Sequence, residues 1–118
     1  MEQLEFINNF NKQTNNFNKE ELISIINQSI NSNSDDKNFK GYNNLIIVME
    51  ELSELSQAIA KELRGRGNSV NTLEETADVC ISLYYIKEIF NIYDDLYKAI
   101  KVKMDRVKEN LDRNGIYK

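Results

Sequence analysis

Apolar residues recur every three or four positions through most of this chain, a spacing that suits helices and no other element. The clearest case runs from Tyr42 to Leu63 or Arg64, where Leu45, Met49, Leu52, Ser56, Ile59 and Leu63 alternate by four and three. At 100° per residue, a second strip of Ile47, Glu51, Glu54 and Ala58 lies roughly opposite. A helix with two such strips is expected to be enclosed by neighbours, with the leucine- and isoleucine-bearing seam packed inside a bundle. No proline interrupts the chain, and no segment carries the period-two alternation of a strand.

The other elements follow from the same spacing. Residues 1–17 read as a loose tail or a short helix, with Leu4, Phe6, Ile7 and Phe10 able to dock on the bundle. Asn18, with Glu21 three residues on, predicts a capped helix start, followed by the stripe Leu22, Ile25, Ile26 and Ile30. A polar loop covers 31–37. The run from Arg64 to Ser69, with Gly65 and Gly67, predicts a helix stop and a link. The third core helix is expected to start at Thr72. Its stretch from Ala77 to Ile86 is apolar nearly all round, which predicts the most buried helix and places Cys80 in the core. A turn at 91–94 leads to a last helix from about Asp94 to Arg113, carried by Leu96, Ile100, Met104 or Val107, and Leu111, and stopped at Asn114-Gly115. The expectation is an all-α bundle of about four core helices over 18–118, its core completed by oligomerisation.

Composition removes several function classes. The 118 residues contain no histidine, which excludes histidine-based triads, zinc sites with histidine ligands and Glu-x-x-His di-iron sites. A single cysteine allows no intrachain disulfide. The net charge of -4 argues against a nucleic-acid surface. The acidic N-terminus lacks an apolar signal core and no stretch suits a membrane span, so a cytoplasmic protein with no membrane partner is expected. Asparagine is abundant, mainly before Asn44, and is read as a reflection of genome composition.

Two acid pairs interrupt the helical pattern. Glu51 with Glu54, and Glu75 with Asp78, each stand three residues apart and so face one way from their helix. Antiparallel packing of the two helices would bring four carboxylates together. Their mutual repulsion is relieved by a hard cation with oxygen ligands, such as Mg²⁺. Asp78 is a poor helix-interior residue inside an apolar run, and an ionised carboxylate there needs a partner or a metal. Plainer readings stand beside this one. Thr72-x-x-Glu75 is also a capping box, Glu50, Glu51 and Glu54 also suit a solvated face, and Tyr84-Tyr85 also suits a core.

Glu50-Glu51-x-x-Glu54, a spacer, then Glu75-x-x-Asp78 resembles the signature of the MazG-like all-α nucleoside triphosphate pyrophosphohydrolases. The flanks, Met49-Glu50-Glu51-Leu52-Ser53-Glu54-Leu55 and Glu74-Glu75-Thr76-Ala77-Asp78-Val79, are similar too, and the likeness covers about Gly41 to Arg113. The resemblance implies a helical dimer or dimer of dimers. It also implies hydrolysis of a nucleoside triphosphate, often a deoxy or damaged one, to monophosphate and pyrophosphate, as in nucleotide-pool house-cleaning. By the same carry-over, Glu51, Glu54, Glu75 and Asp78 hold Mg²⁺, with Mn²⁺ a possible substitute. Glu50 and Glu54 are the candidate catalytic acids. Lys61, Arg64, Lys103 and Arg106 are candidate phosphate contacts, and Tyr85 a candidate substrate contact. Where relatives often show Lys-x-Asn-Arg, this chain has Lys103-Met104-Asp105-Arg106. The alternative is a non-catalytic, self-associating helical module. A carboxylate-bridged redox metal site is a weaker third reading.

Overall fold

The computed structural model describes residues 3–32 and 39–114, the side chain of Asn114 excepted. The described residues form five helices and no strand: α1 Gln3–Lys12, α2 Lys19–Ser32, α3 Tyr42–Leu63, α4 Ser69–Phe90 and α5 Tyr93–Asn114. Most of the polar loop expected at 31–37, and Gly115 of the expected C-terminal stop, lie outside the described residues.

The α3–α4 hairpin is the frame. α3 ends in paired backbone bonds: Gly65 N–H donates to the Glu62 carbonyl at 3.0 Å and Arg66 N–H to the Lys61 carbonyl at 2.8 Å. Gly65 sits at φ 72°, the left-handed conformation this closure requires. The chain then turns back. Asn68 caps α4, its Oδ1 accepting from Asn71 N–H at 2.7 Å. The helix therefore starts three residues before the expected Thr72. Thr72 lies inside the first turn, its hydroxyl donating to the Asn68 carbonyl at 3.3 Å. Asparagine is the stronger cap, and it wins the helix start. At the other end of the hairpin, Gly41 (φ 93°) sits against Ile89, where an added Cβ would fall 2.6 Å from Ile89 Cγ1. The start of α3 thus meets the end of α4, and the two helices run antiparallel.

The strip by which α3 faces its neighbours is Asn44, Val48, Glu51, Leu55 and Ala58, each buried or half-buried. The expected seam is largely turned outward instead: Met49 is 70 % exposed and Leu63 84 %, with Leu52 and Ile59 also exposed. Of the second expected strip only Glu51 and Ala58 turn inward, while Ile47 and Glu54 are exposed. On α4 the inner strip is Glu75, Asp78, Ser82, Tyr85 and Ile89, and the outer strip is Leu73, Thr76, Cys80 and Leu83. Cys80 is thus exposed, against the expectation of a core thiol. α4 is the helix on which α1, α2 and α3 all pack. Yet Ser82 is its one buried residue, and Leu73, Leu83 and Phe90 remain exposed.

α2 follows its sequence signals except at Ile25, which the expected stripe included and which is exposed. Asn18 Oδ1 caps it by accepting from Glu21 N–H at 2.8 Å, and Ile26 and Ile30 are buried. The N-terminal segment is a short helix. Gln3 Nε2 donates to Asn68 Oδ1 at 2.8 Å, and Phe17 in the following link packs its ring on Tyr84 of α4. Asn91, at φ 53°, ends α4 and lets α5 leave at once. None of the other helices packs closely along α5, and none of its described side chains is buried. No helix among the described residues is long and apolar enough to cross a membrane.

Candidate metal centre

The antiparallel register decides which acids meet. It sets Glu54 opposite Glu75 and Glu51 opposite Asp78, near the middle of both helices. One carboxylate oxygen from each of Glu51, Glu54 and Glu75 lies within 4.8 Å of the others. Asp78, the fourth acid expected here, stands beside this trio, where its charge helps raise the Glu51 carboxyl. Because Asn68 and not Thr72 starts α4, Glu75 has no cap to serve and turns into this group.

Two carboxylates can hydrogen-bond only if one carries a proton, and otherwise they need a cation between them. The electrostatics express this. Burial, and then the charges of Asp78, Glu54 and Glu75, push the Glu51 carboxyl up from 4.5 to about 7. Burial and the neighbouring Glu54 and Asp78 push Glu75 up as well. Glu51 Oε2 and Glu75 Oε2 are buried and find no donor among the described residues. Two orphaned oxygens among clustered acids, with no lysine or arginine bridging them among the described residues, suit a hard divalent cation such as Mg²⁺. Glu51 and Glu75 are half-buried and Glu54 is exposed, so the group opens to solvent at Glu54.

The other sequence-nominated residues divide. Tyr85 lies beside the acids, lining a cavity of about 190 Å³ that also touches Glu51 and Asp78. Glu50 stands outside the group on an exposed face, one turn from Glu54. Lys61 and Arg64 are exposed at the C-terminal end of α3, Lys61 two turns beyond Glu54. Lys103 and Arg106 are exposed on α5 and are not brought to the acids within one chain. Tyr84 belongs to a surface contact instead, with Lys87 Nζ 4.1 Å over its ring.

Sequence reading missed Asn44. It lines the same cavity, is only 8 % exposed, and donates through Nδ2 to Ser29 Oγ at 3.2 Å. Its position seven residues before Glu51, on one helix face, was the available signal. Comparisons with protein-family models, curated proteins and solved structures give no match.

Proposed function

We propose that this protein is a Mg²⁺-dependent nucleoside triphosphate pyrophosphohydrolase, cleaving a deoxy or non-standard triphosphate to monophosphate and pyrophosphate. The observation that carries the reading is the meeting of Glu51, Glu54 and Glu75 across the hairpin, with Asp78 beside them and two oxygens unpartnered. These four side chains would hold Mg²⁺, whose chemistry is charge neutralisation and orientation of phosphate oxygens. In the reaction, the oxygen of water bonds to the α-phosphorus, the bond to the bridging oxygen breaks, and pyrophosphate leaves with that oxygen. Glu54, at the open edge, and Glu50, one turn away, are the acids assigned to take the proton of the water. No histidine is needed for this chemistry.

The exposed seam of α3 and the uncovered α5 support a homodimer or a dimer of dimers. Such an assembly would let Lys103 and Arg106 of one copy serve the acids of another. Lys61 and Arg64 are assigned to phosphate from the same chain. The second reading, a self-associating module without catalysis, draws on the same exposed seam and would leave the acids as a structural metal clamp.

The test is incubation with Mg²⁺ and a panel of ordinary and modified ribo- and deoxynucleoside triphosphates, with both products measured. Monophosphate and pyrophosphate are expected, and Asp78→Asn should lose at least a hundredfold in rate, on the order of one lost charge-stabilising contact. Diphosphate and orthophosphate would mean a different bond is cut. No turnover by folded protein would leave the non-catalytic module.

A further inference from the structure

α5 is the element whose apolar side chains the rest of the chain leaves unused. It is 22 residues long, none of its described side chains is buried, and no other helix packs closely along it. Its apolar residues nevertheless keep a strict order. Tyr97, Ile100, Met104, Val107 and Leu111 follow one another by three, four, three and four, the spacing by which two helices form a coiled coil. Tyr97, Ile100, Met104 and Leu111 are each between 48 and 54 % exposed, so the seam has no cover among the described residues. Beyond Leu96, its borders are polar: Asp94, Lys101 and Lys108 on one edge, Lys103 and Asn110 on the other.

We propose that α5 pairs antiparallel with α5 of a second copy, Tyr97 level with Val107 of the other copy and Ile100 level with Met104. This deepens the self-association proposed above and rests on it. A seam of two heptads is too short to hold alone, and a further contact between copies, such as the α3 seam, raises its local concentration. Charge selects direction and register, because in an antiparallel pair each edge meets the same edge of the other copy. Asp94 of each copy then comes beside Lys108 of the other. Lys101 meets Lys101, but each is already paired with Asp105 of its own chain at 2.7 Å. Sliding one helix by seven residues sets Lys101 against Lys108 twice over. Sliding it the other way leaves Val107 and Leu111 without a facing helix. A parallel pair sets Lys103 against Lys108 twice and brings together the acidic starts of both helices, Asp94 and Asp95. Opposed helix dipoles favour the antiparallel pair as well. The arrangement keeps one uncompensated like-charge contact, Lys103 with its own counterpart, which long side chains relieve by turning to solvent. Lys103 borders the seam and Arg106 points away from it, so the phosphate role given to them above is not used up.

The test is thiol cross-linking in a Cys80→Ser background, which removes the single native cysteine. Tyr97→Cys and Val107→Cys proteins are oxidised alone and as an equal mixture, and each sample is sedimented. Both positions lie on a helix that no other helix covers, so neither change disturbs the hairpin. Antiparallel pairing predicts a cross-linked pair in the mixture and little in either protein alone, where like thiols stand about 15 Å apart along the axis. Lys108→Glu in both proteins should cut the mixed yield severalfold, and adding Asp94→Lys, which restores opposite charges in each pair, should recover it. A cross-link by Tyr97→Cys alone would mean parallel pairing and overturn the proposal. A mixed yield indifferent to both charge changes would overturn the register. A dimer or tetramer with no cross-link in the mixture would overturn the α5 pair and leave self-association through another face. A monomer would remove both.

Discussion

Glu51 carries its charge at a cost, and the sign of that cost can be tested. Its carboxyl is raised to about 7 in the folded chain against 4.5 ordinarily. Below about pH 4.5 the folded and unfolded chains both hold the proton, and the group contributes nothing. Between 4.5 and 7 the folded chain keeps a proton that the unfolded chain has released, so stability falls as pH rises, and above 7 the loss is complete. Glu75 is shifted in the same direction. Metal-free protein should therefore melt higher at pH 5.5 than at pH 8, and Glu51→Gln should raise the melting temperature at pH 8. Added Mg²⁺ should reverse the trend, stabilising the wild type most at pH 8 and Glu51→Gln little. A wild-type melting curve indifferent to both pH and Mg²⁺ would sink the cluster as a metal centre. At this scale the acids were legible because aspartate inside an apolar helix conflicts with its surroundings. Asn44 was not, because asparagine is so common here that one more reads as background. The structure gives Asn18, Asn68 and Asn91 specific places at helix ends and Asn44 one in a cavity.

Among the elements, the hairpin start matters most, since the residue that begins α4 decides what Glu75 can do. Sequence spacing offered Thr72 with Glu75 as a capping box, and a local rule had no means of preferring the asparagine four residues earlier. Asn68 is preferred because the Gly65 closure of α3 delivers the chain to it in extended form, φ -139° and ψ 151°. Asn68→Ala should cost ~1 kcal/mol of stability in urea unfolding, and Thr72→Ala distinctly less. The opposite order would restore Thr72 as the cap and return Glu75 to it. The order of the four core helices and most of their ends were readable from periodicity and stop signals, whereas 1–17 was open between a tail and a short helix. Which strip of α3 would face inward was not, because two strips compete and periodicity alone cannot rank them.

For the whole molecule, the proposed assembly rests on the outward apolar seam of α3 and the open face of α5. Met49, Leu52, Ile59 and Leu63 on α3 and the open face of α5, with Ile100 and Met104, are expected to be covered by a second copy. Sedimentation should find a dimer or tetramer at micromolar concentration, and Met49→Asp should shift it toward monomer with a lower melting temperature. A wild type that sediments as a monomer would remove the assembly and with it the role given to Lys103 and Arg106. The expectation of association came from chain length and doubled apolar strips, whereas the geometry of a partner is a property of two chains. One further consequence comes from the height at which the acids sit. They meet midway along α3 and α4, not at the Arg64–Asn68 link or at the Gly41 end. A cation there would act as a rivet through the centre of a two-leaf hinge, and without it the charges would act as a wedge. Amide hydrogen exchange should then slow on Mg²⁺ addition chiefly in the central turns of the hairpin, while both its ends keep their pace.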